Sequence, residues 1–234
     1  MILIESLKKQ YGKRTALDIP KLEVSKGDIL GLVGNNGAGK STLLCLILDL
    51  LKADSGNVRI SNINVSKSEE WKNISSSYLG EEFLINYLTP FEYLSFIGEF
   101  RQISKKDIEI FINDYSHFFE ENFFNEKKLI QNLSKGNKAK IGIIGALLSK
   151  PELLILDEPF ANLDPSSQFK LAKILKNINI ASKTTILVSA HNLEHIADVC
   201  NRVLLLEQGK LKKDLQKNEN TIEYLNNYFK SPKQ

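Results

Sequence analysis

At 234 residues, 42% of them hydrophobic, the chain carries enough apolar side chains for one substantial core, built as one domain or one domain with a lobe. A net charge of +3, from 31 basic and 28 acidic residues spread along the chain, excludes the concentrated basic surface of a nucleic-acid binder. The two cysteines, Cys45 and Cys200, have no paired spacing or histidine cluster, which excludes a disulfide framework or a zinc site, and no apolar stretch approaches the ~20 residues that span a bilayer. A soluble protein of a reducing, cytoplasmic compartment is expected.

Residues 2–7 and 16–24 read as strands around a turn at 11–14. Ile29–Val33 is a short apolar run of the kind that makes a buried parallel strand, and residues 42–51 are apolar enough and long enough for a helix. Between them lies GNNGAGKS, residues 34–41, which fits the phosphate-loop pattern at every fixed position. Gly34, Gly37 and Gly39 are expected to let the backbone take up positive φ and turn its amides inward around phosphate oxygens. Lys40 brings a mobile positive charge to the terminal phosphates, Ser41 a hydroxyl for a magnesium ion, and the helix start its positive dipole end. The expected phosphate contacts are therefore Gly34, Asn35, Asn36, Gly37, Ala38, Gly39, Lys40, Ser41 and Thr42.

A strand is expected near 58–60, after which the composition turns aromatic and helical from 83 to 144. Thr89, Pro90 and Glu92 form a helix start in which the threonine caps and the glutamate reaches back to it. Tyr93, Phe96, Ile97 and Phe100, then Ile108, Phe111, Ile112 and Tyr115, recur at helical spacing and are expected to form the core of a small helical lobe. Ser134, Lys135 and Gly136 precede another apolar-periodic stretch, so Ser134 is a cap and the helix start an anion site. The parallel-strand pattern returns at Leu153–Leu156 and at 185–188. The first of these ends in Asp157-Glu158-Pro159, which puts two carboxylates at the carboxyl edge of the sheet. Asp157 is placed to hold the magnesium shell and Glu158, pointing another way, to act on the attacking water. A closing helix is expected within residues 215–229, with Ile222 and Leu225 inward, and the polar tail 231–234 is expected to be disordered.

Taken together, these segments resemble the ATP-hydrolysing subunit of ATP-binding-cassette (ABC) transporters over almost the whole chain. LSKGN at 133–137 is similar to the family signature LSGGQ, ANLD at 161–164 to the loop whose aspartate, here Asp164, crosses a dimer interface, and His191 in SAHNLEHIADVCNRVLLLEQGK to the switch histidine. Tyr11 stands where an aromatic ring stacks on adenine. The resemblance implies an α/β fold: a RecA-like P-loop core with a mostly parallel sheet (1–82 and 148–230), an N-terminal antiparallel β subdomain, and an inserted helical subdomain (83–147) carrying the signature. It implies ATP and Mg2+ as ligands, with Lys40, Glu158 and His191 catalytic. Ser41, Asp157 and Glu81 would attend the metal, and Ser134, Lys135, Gly136 and Asp164 the nucleotide.

The resemblance also implies two copies, or this chain with a related ATPase, closing over two ATP molecules so that each signature completes the other's site. It further implies an integral-membrane permease as partner, with attachment to the cytoplasmic face of the membrane. Departures from the pattern are Glu81 in place of a glutamine, Lys135 and Asn137 within the signature, and Phe160 after Asp157-Glu158-Pro159. Several of these, with LTPFEYLSFIGEF, look like the exporter-powering subfamily. A soluble superfamily member driving cofactor assembly or cell division stands as the alternative. A guanine-reading segment is lacking, since the nearest candidate, 137–140, ends in lysine.

Overall fold

The first hairpin and the later apolar runs build two different sheets in the computed structural model, which describes residues 1–121, 123–125, 127–191 and 193–230. Strands β1 (Ile2–Tyr11) and β2 (Arg14–Val24) pair antiparallel, with Ile2 opposite Val24 and Tyr11 opposite Arg14. Then come β3 (Ile29–Val33), helix α1 (Lys40–Ile47), β4 (Ser55–Ile60) and β5 (Ile63–Asn64). The antiparallel sheet has the order β2-β1-β4-β5.

The remaining elements are β6 (Ser75–Tyr78), α2 (Pro90–Phe100), α3 (Lys105–Asp114), α4 (Lys135–Leu147), β7 (Leu153–Leu156), α5 (Pro165–Ser182), β8 (Thr185–Ala190), α6 (Leu193–Val199), β9 (Arg202–Glu207), β10 (Lys210–Gln216) and α7 (Thr221–Lys230). The second sheet runs β10-β9-β3-β8-β7-β6, and every pairing in it is parallel except β10 with β9. Three helices, α2 to α4, are therefore inserted between two neighbouring parallel strands, β6 and β7.

The central strands are apolar throughout because both of their faces are covered, as parallel sheets require. Alternate residues feed two cores. Leu153, Ile155, Leu187 and Leu204 pack with the antiparallel sheet and α1, whereas Leu154, Leu156, Ile186 and Val203 pack with the helices. Each such leucine or isoleucine, fully buried, contributes roughly 1.5–3 kcal/mol of transfer free energy, so the strand edge they support is held from both sides.

The expected start of α2 is present in full: Thr89 Oγ1 accepts from Glu92 N, and the Glu92 carboxylate accepts from Thr89 N at 2.8 Å. The expectation that Tyr93, Phe96, Ile97 and Phe100 form one core face is corrected. Leu94 and Gly98 face inward, Tyr93 and Ile97 are half-buried, and Phe96 and Phe100 are 41% and 76% exposed, stacked edge to face with each other. The buried stripe is rotated because α3 packs on Gly98, where a Cβ would stand 2.5 Å from Ile108 Cδ1. Phe111 and Ile108 are buried as expected, and they share one continuous core with the helix-facing side of the sheet.

Several boundaries also move: β1 runs on to Tyr11 and β2 starts at Arg14, so the hairpin is longer and its turn tighter than expected. Helix α1 begins at Lys40 and ends at Ile47, earlier at both ends than the apolar run implied. Leu215 belongs to strand β10, not to the closing helix, in which Leu225 is fully buried. The tail 231–234 lies outside the described residues. Among the described residues no helix is long and apolar enough to cross a membrane.

Candidate nucleotide site

Residues 34–41 form the turn between β3 and α1, as the order strand, glycine-rich loop, helix requires. Gly37 (φ 76°) and Gly39 (φ 104°) occupy the left-handed region that their lack of a Cβ permits, whereas Gly34, expected there too, does not; Gly39 leads into α1 with no side chain capping the helix. At Gly34 a Cβ would stand 2.4 Å from Leu206 O, so the loop is pressed against the end of β9. The hairpin after β9 braces it again, Gly209 N donating to Ala38 O at 2.8 Å.

Lys40 is 5% exposed, its Nζ donating to Gly34 O at 2.8 Å and lying 3.9 Å from Glu158 Oε1. Burial lowers the pKa of its ammonium, and the carboxylates of Glu158 and Asp157 oppose that shift. A desolvated cation at the start of a helix is a site of anion chemistry.

Strand β7 delivers the carboxylates. Asp157 N donates to Tyr78 O at 2.8 Å, continuing the parallel pairing by one residue, and Glu158 then breaks it at φ 49°. A left-handed glutamate costs of order 1–3 kcal/mol and persists where its surroundings hold it. The holder here is Ser189, fully buried on β8, whose Oγ accepts from Glu158 N at 2.9 Å and donates to Asp157 Oδ1. His191 follows β8 and presents Nε2 to Glu158 Oε2. Burial and the nearby Glu81 and Glu82 push the Tyr78 phenol up to about 12, so it is neutral at the cavity wall.

A cavity of about 310 Å³ is lined by Ser41, Tyr78, Gly80, Glu81, Glu82, Lys135, Asp157, Glu158 and Asn162, among others. It brings together the expected hydroxyl, both carboxylates at the end of β7, Glu81 and Lys135. The hydroxyl of Ser41 and the carboxylates of Asp157 and Glu81 are hard oxygen donors, a set that fits magnesium.

Residues 34–40, Thr42 and His191 border this site without lining the cavity, and Tyr11, Ser134, Gly136 and Asp164 do not line it either. Tyr11 ends β1, half-exposed, with Lys9 Nζ 5.6 Å from its ring centre. Ser134 caps α4, its Oγ accepting from Asn137 N at 3.2 Å. Gly136 packs on the ANLD loop, where its Cβ would stand 2.8 Å from Asn162 O. Asp164 caps α5, accepting from Ser167 Oγ at 2.5 Å and Ser167 N at 3.0 Å; these bonds hold its carboxyl below the usual range.

Two residues escaped the sequence reading. Ser189 looked like part of an apolar strand, and only the parallel register with β7 reveals its contact with Asp157. Arg14 sits in the first turn, its Nη2 3.8 Å from where a Gly37 Cβ would lie. A cation so close to Tyr11 in the chain was the available signal.

The family model described as "ABC transporter" matches residues 17–161. The chain is 33% identical to the linearmycin resistance ATP-binding protein LnrL of Bacillus subtilis, over 90% of this chain and 68% of that one. It is 32% identical to the bacitracin transport ATP-binding protein BcrA of Enterococcus faecalis, covering 94% and 70%, and 30% identical to the lantibiotic transport ATP-binding protein SrtF of Streptococcus pyogenes, covering 97% and 96%. A solved ATP-binding subunit of an ABC transporter superposes with a TM-score of 0.84 at 25% identity, over 99% of this chain and 95% of that one. The dimeric post-hydrolysis ATP-binding cassette MJ0796, bound to ADP and Pi, matches the fold with a TM-score of 0.82 at 24% identity, over 92% and 98%. The match to the family model and the similarity to these relatives show that the chain belongs to the ABC transporter family, as an ATP-binding subunit that hydrolyses ATP.

Proposed function

We propose that the chain powers export through a separate integral-membrane permease, with its cavity beside Lys40 taking the terminal phosphates of ATP. The observation that carries this reading is the double contact of Glu158, with Lys40 on one side and His191 on the other. A carboxylate so placed accepts a proton from, or orients, a water attacking the γ-phosphate. Lys40 and the loop amides of residues 34–42 hold the phosphates, and His191 fixes the Glu158 carboxylate and reaches the same phosphate edge. Tyr11 stacks on the adenine. Ser41, Asp157 and Glu81 would hold a magnesium ion, which when bound would supply neutralising charge at the phosphate oxygens.

Hydrolysis requires about 8 kcal/mol or more of barrier lowering, whereas one helix dipole supplies ~0.3–2 kcal/mol. A second ATPase subunit, identical or related, therefore closes over the nucleotide. Its Ser134, Lys135, Gly136 and Asp164, or their equivalents, complete the phosphate site in trans. The exposed position of Ser134 and Lys135 and the dimeric state of the MJ0796 cassette support this.

The helical subdomain, 83–147, receives a short cytoplasmic helix of the permease, which attaches the chain to the cytoplasmic face of the membrane. A groove of about 360 Å³ supports this reading, since it runs between α2 and the sheet edge and is lined by Leu50, Trp71, Tyr93, Ile97 and Arg101. Leu50 is 55% exposed there, as an apolar anchor point would be. The drug and peptide names of the LnrL, BcrA and SrtF relatives favour export over import. No nucleic acid is involved.

The test is purification of the tagged protein from detergent-solubilised membranes of its host, with identification of what accompanies it. A stoichiometric multispanning protein is expected. A soluble partner in its place would assign the ATPase to a non-transport machine such as cofactor assembly or division.

A further inference from the structure

The cavity beside the phosphate loop is acidic, with Glu81, Glu82, Asp157 and Glu158 in its lining against one lining ammonium, that of Lys135. Two of these carboxylates are engaged at once, Glu158 with His191 and Lys40 and Asp157 with the Ser189 hydroxyl, while Glu82 lies beside Gly80. Glu81 has a different partner. Its Oε2 lies 3.3 Å from Lys138 Nζ, on the first turn of α4.

Lys138 is held for this contact. Its backbone N donates to Ser134 O at 2.9 Å, which fixes the root of the side chain, and the side chain itself is 18% exposed. A solvated lysine would spend conformational entropy to stay in one place and gain little. This one is shielded and fixed, so its charge bears steadily on Glu81, which is 38% exposed.

We propose that Lys138 is a positioning residue for nucleotide affinity: by neutralising and holding Glu81, it lets an acidic cavity admit a polyphosphate before a metal ion offsets the charge. This rests on reading the cavity as the seat of the terminal phosphates. Without Lys138, the incoming anion meets an uncompensated carboxylate. At a partly shielded site, one unbalanced unit charge several ångströms away changes affinity by about tenfold. Magnesium supplies an alternative counter-charge, so the dependence on Lys138 is larger in its absence.

The experiment is calorimetric titration with ATP, in EDTA and in magnesium, of the full chain and of Lys138→Ala, Glu81→Gln and the double variant. Lys138→Ala is expected to weaken ATP binding about tenfold in EDTA and less in magnesium. In the Glu81→Gln background, the same substitution is expected to cost about twofold or less. Lys138→Arg is expected to retain the parental affinity, and Lys138→Met, which keeps the apolar stem, to behave as alanine does if the alanine variant fails to fold. An equal loss in both backgrounds would mean that Lys138 acts on the nucleotide directly and would overturn the proposal, as would no loss at all. Failure of the unmodified chain to bind ATP would instead overturn the reading of the cavity itself.

Discussion

His191 and Glu158 meet through Nε2 and Oε2 at the carboxyl edge of the parallel sheet, with Lys40 Nζ 3.9 Å from the other oxygen of the same carboxylate. The contact links the end of β8 to the end of β7. Replacing Glu158 by Gln keeps the shape and removes the proton acceptor, so ATP turnover is expected to fall by about 100-fold or more while ATP binding is retained. His191→Ala is expected to lower turnover without abolishing ATP binding. Phosphate release and nucleotide titration on the same samples check both, and unchanged turnover in the histidine variant would remove it from the proposed mechanism.

Ser189 bonds both a carboxylate and a strained backbone N–H. Ser189→Ala is expected to destabilise the fold by about 1–3 kcal/mol, the cost of leaving a buried polar group unpaired. Turnover should drop with stability because Asp157 and Glu158 lose their common anchor. Urea unfolding beside an ATPase assay measures the two effects.

Helix α4 approaches the sheet and α2 through two glycines. A Cβ on Gly142 would stand 2.5 Å from the Tyr78 ring, and one on Gly145 would stand 2.8 Å from Tyr93 and 2.9 Å from Ile97. Overpacking of this kind costs about 1–3 kcal/mol. Gly142→Ala and Gly145→Ala are each expected to lower the denaturant midpoint, with Gly142→Ala also disturbing the loop that carries Glu81.

Two helix caps make the fold sensitive to acid. The Glu92 carboxyl is held below its usual range by the Thr89 N–H and hydroxyl, and that of Asp164 by the Ser167 hydroxyl and N–H. For a carboxyl depressed in the folded state, the stabilisation is complete above its unfolded pKa of about 4 and is lost as pH falls through the lowered value. Thermal melts from pH 7 to pH 3 are expected to show this loss. Glu92→Gln should flatten its own share of the slope, and Thr89→Ala should cost about 1 kcal/mol at pH 7.

Local chemistry explains what the sequence made visible. The run GNNGAGKS, the apolar strand ending in Asp157-Glu158, and the threonine-proline-glutamate start of α2 each carry their geometry within a few residues, and each forms as expected. The identity of the buried face of α2 was not legible, because Phe96 and Phe100 have the same spacing as a core stripe and only the packing of α3 on Gly98 rotates them outward. Leu215 falls in the region expected as a closing helix, but pairing with Val203 on β9 draws it into a strand. Ser189 and Lys138 take their significance from elements distant in the chain, which a local pattern does not encode.

The central claim is that ATP hydrolysis here requires two phosphate sites completed by signatures from opposite subunits. Its most direct test is phosphate release per molecule of purified chain, followed over a range of protein concentrations at saturating MgATP. Turnover that rises with concentration, and is lower by about 100-fold or more at every concentration from Glu158→Gln, is the predicted result. Turnover per molecule that is constant down to the lowest concentrations, from a chain shown by light scattering to be monomeric there, would contradict it.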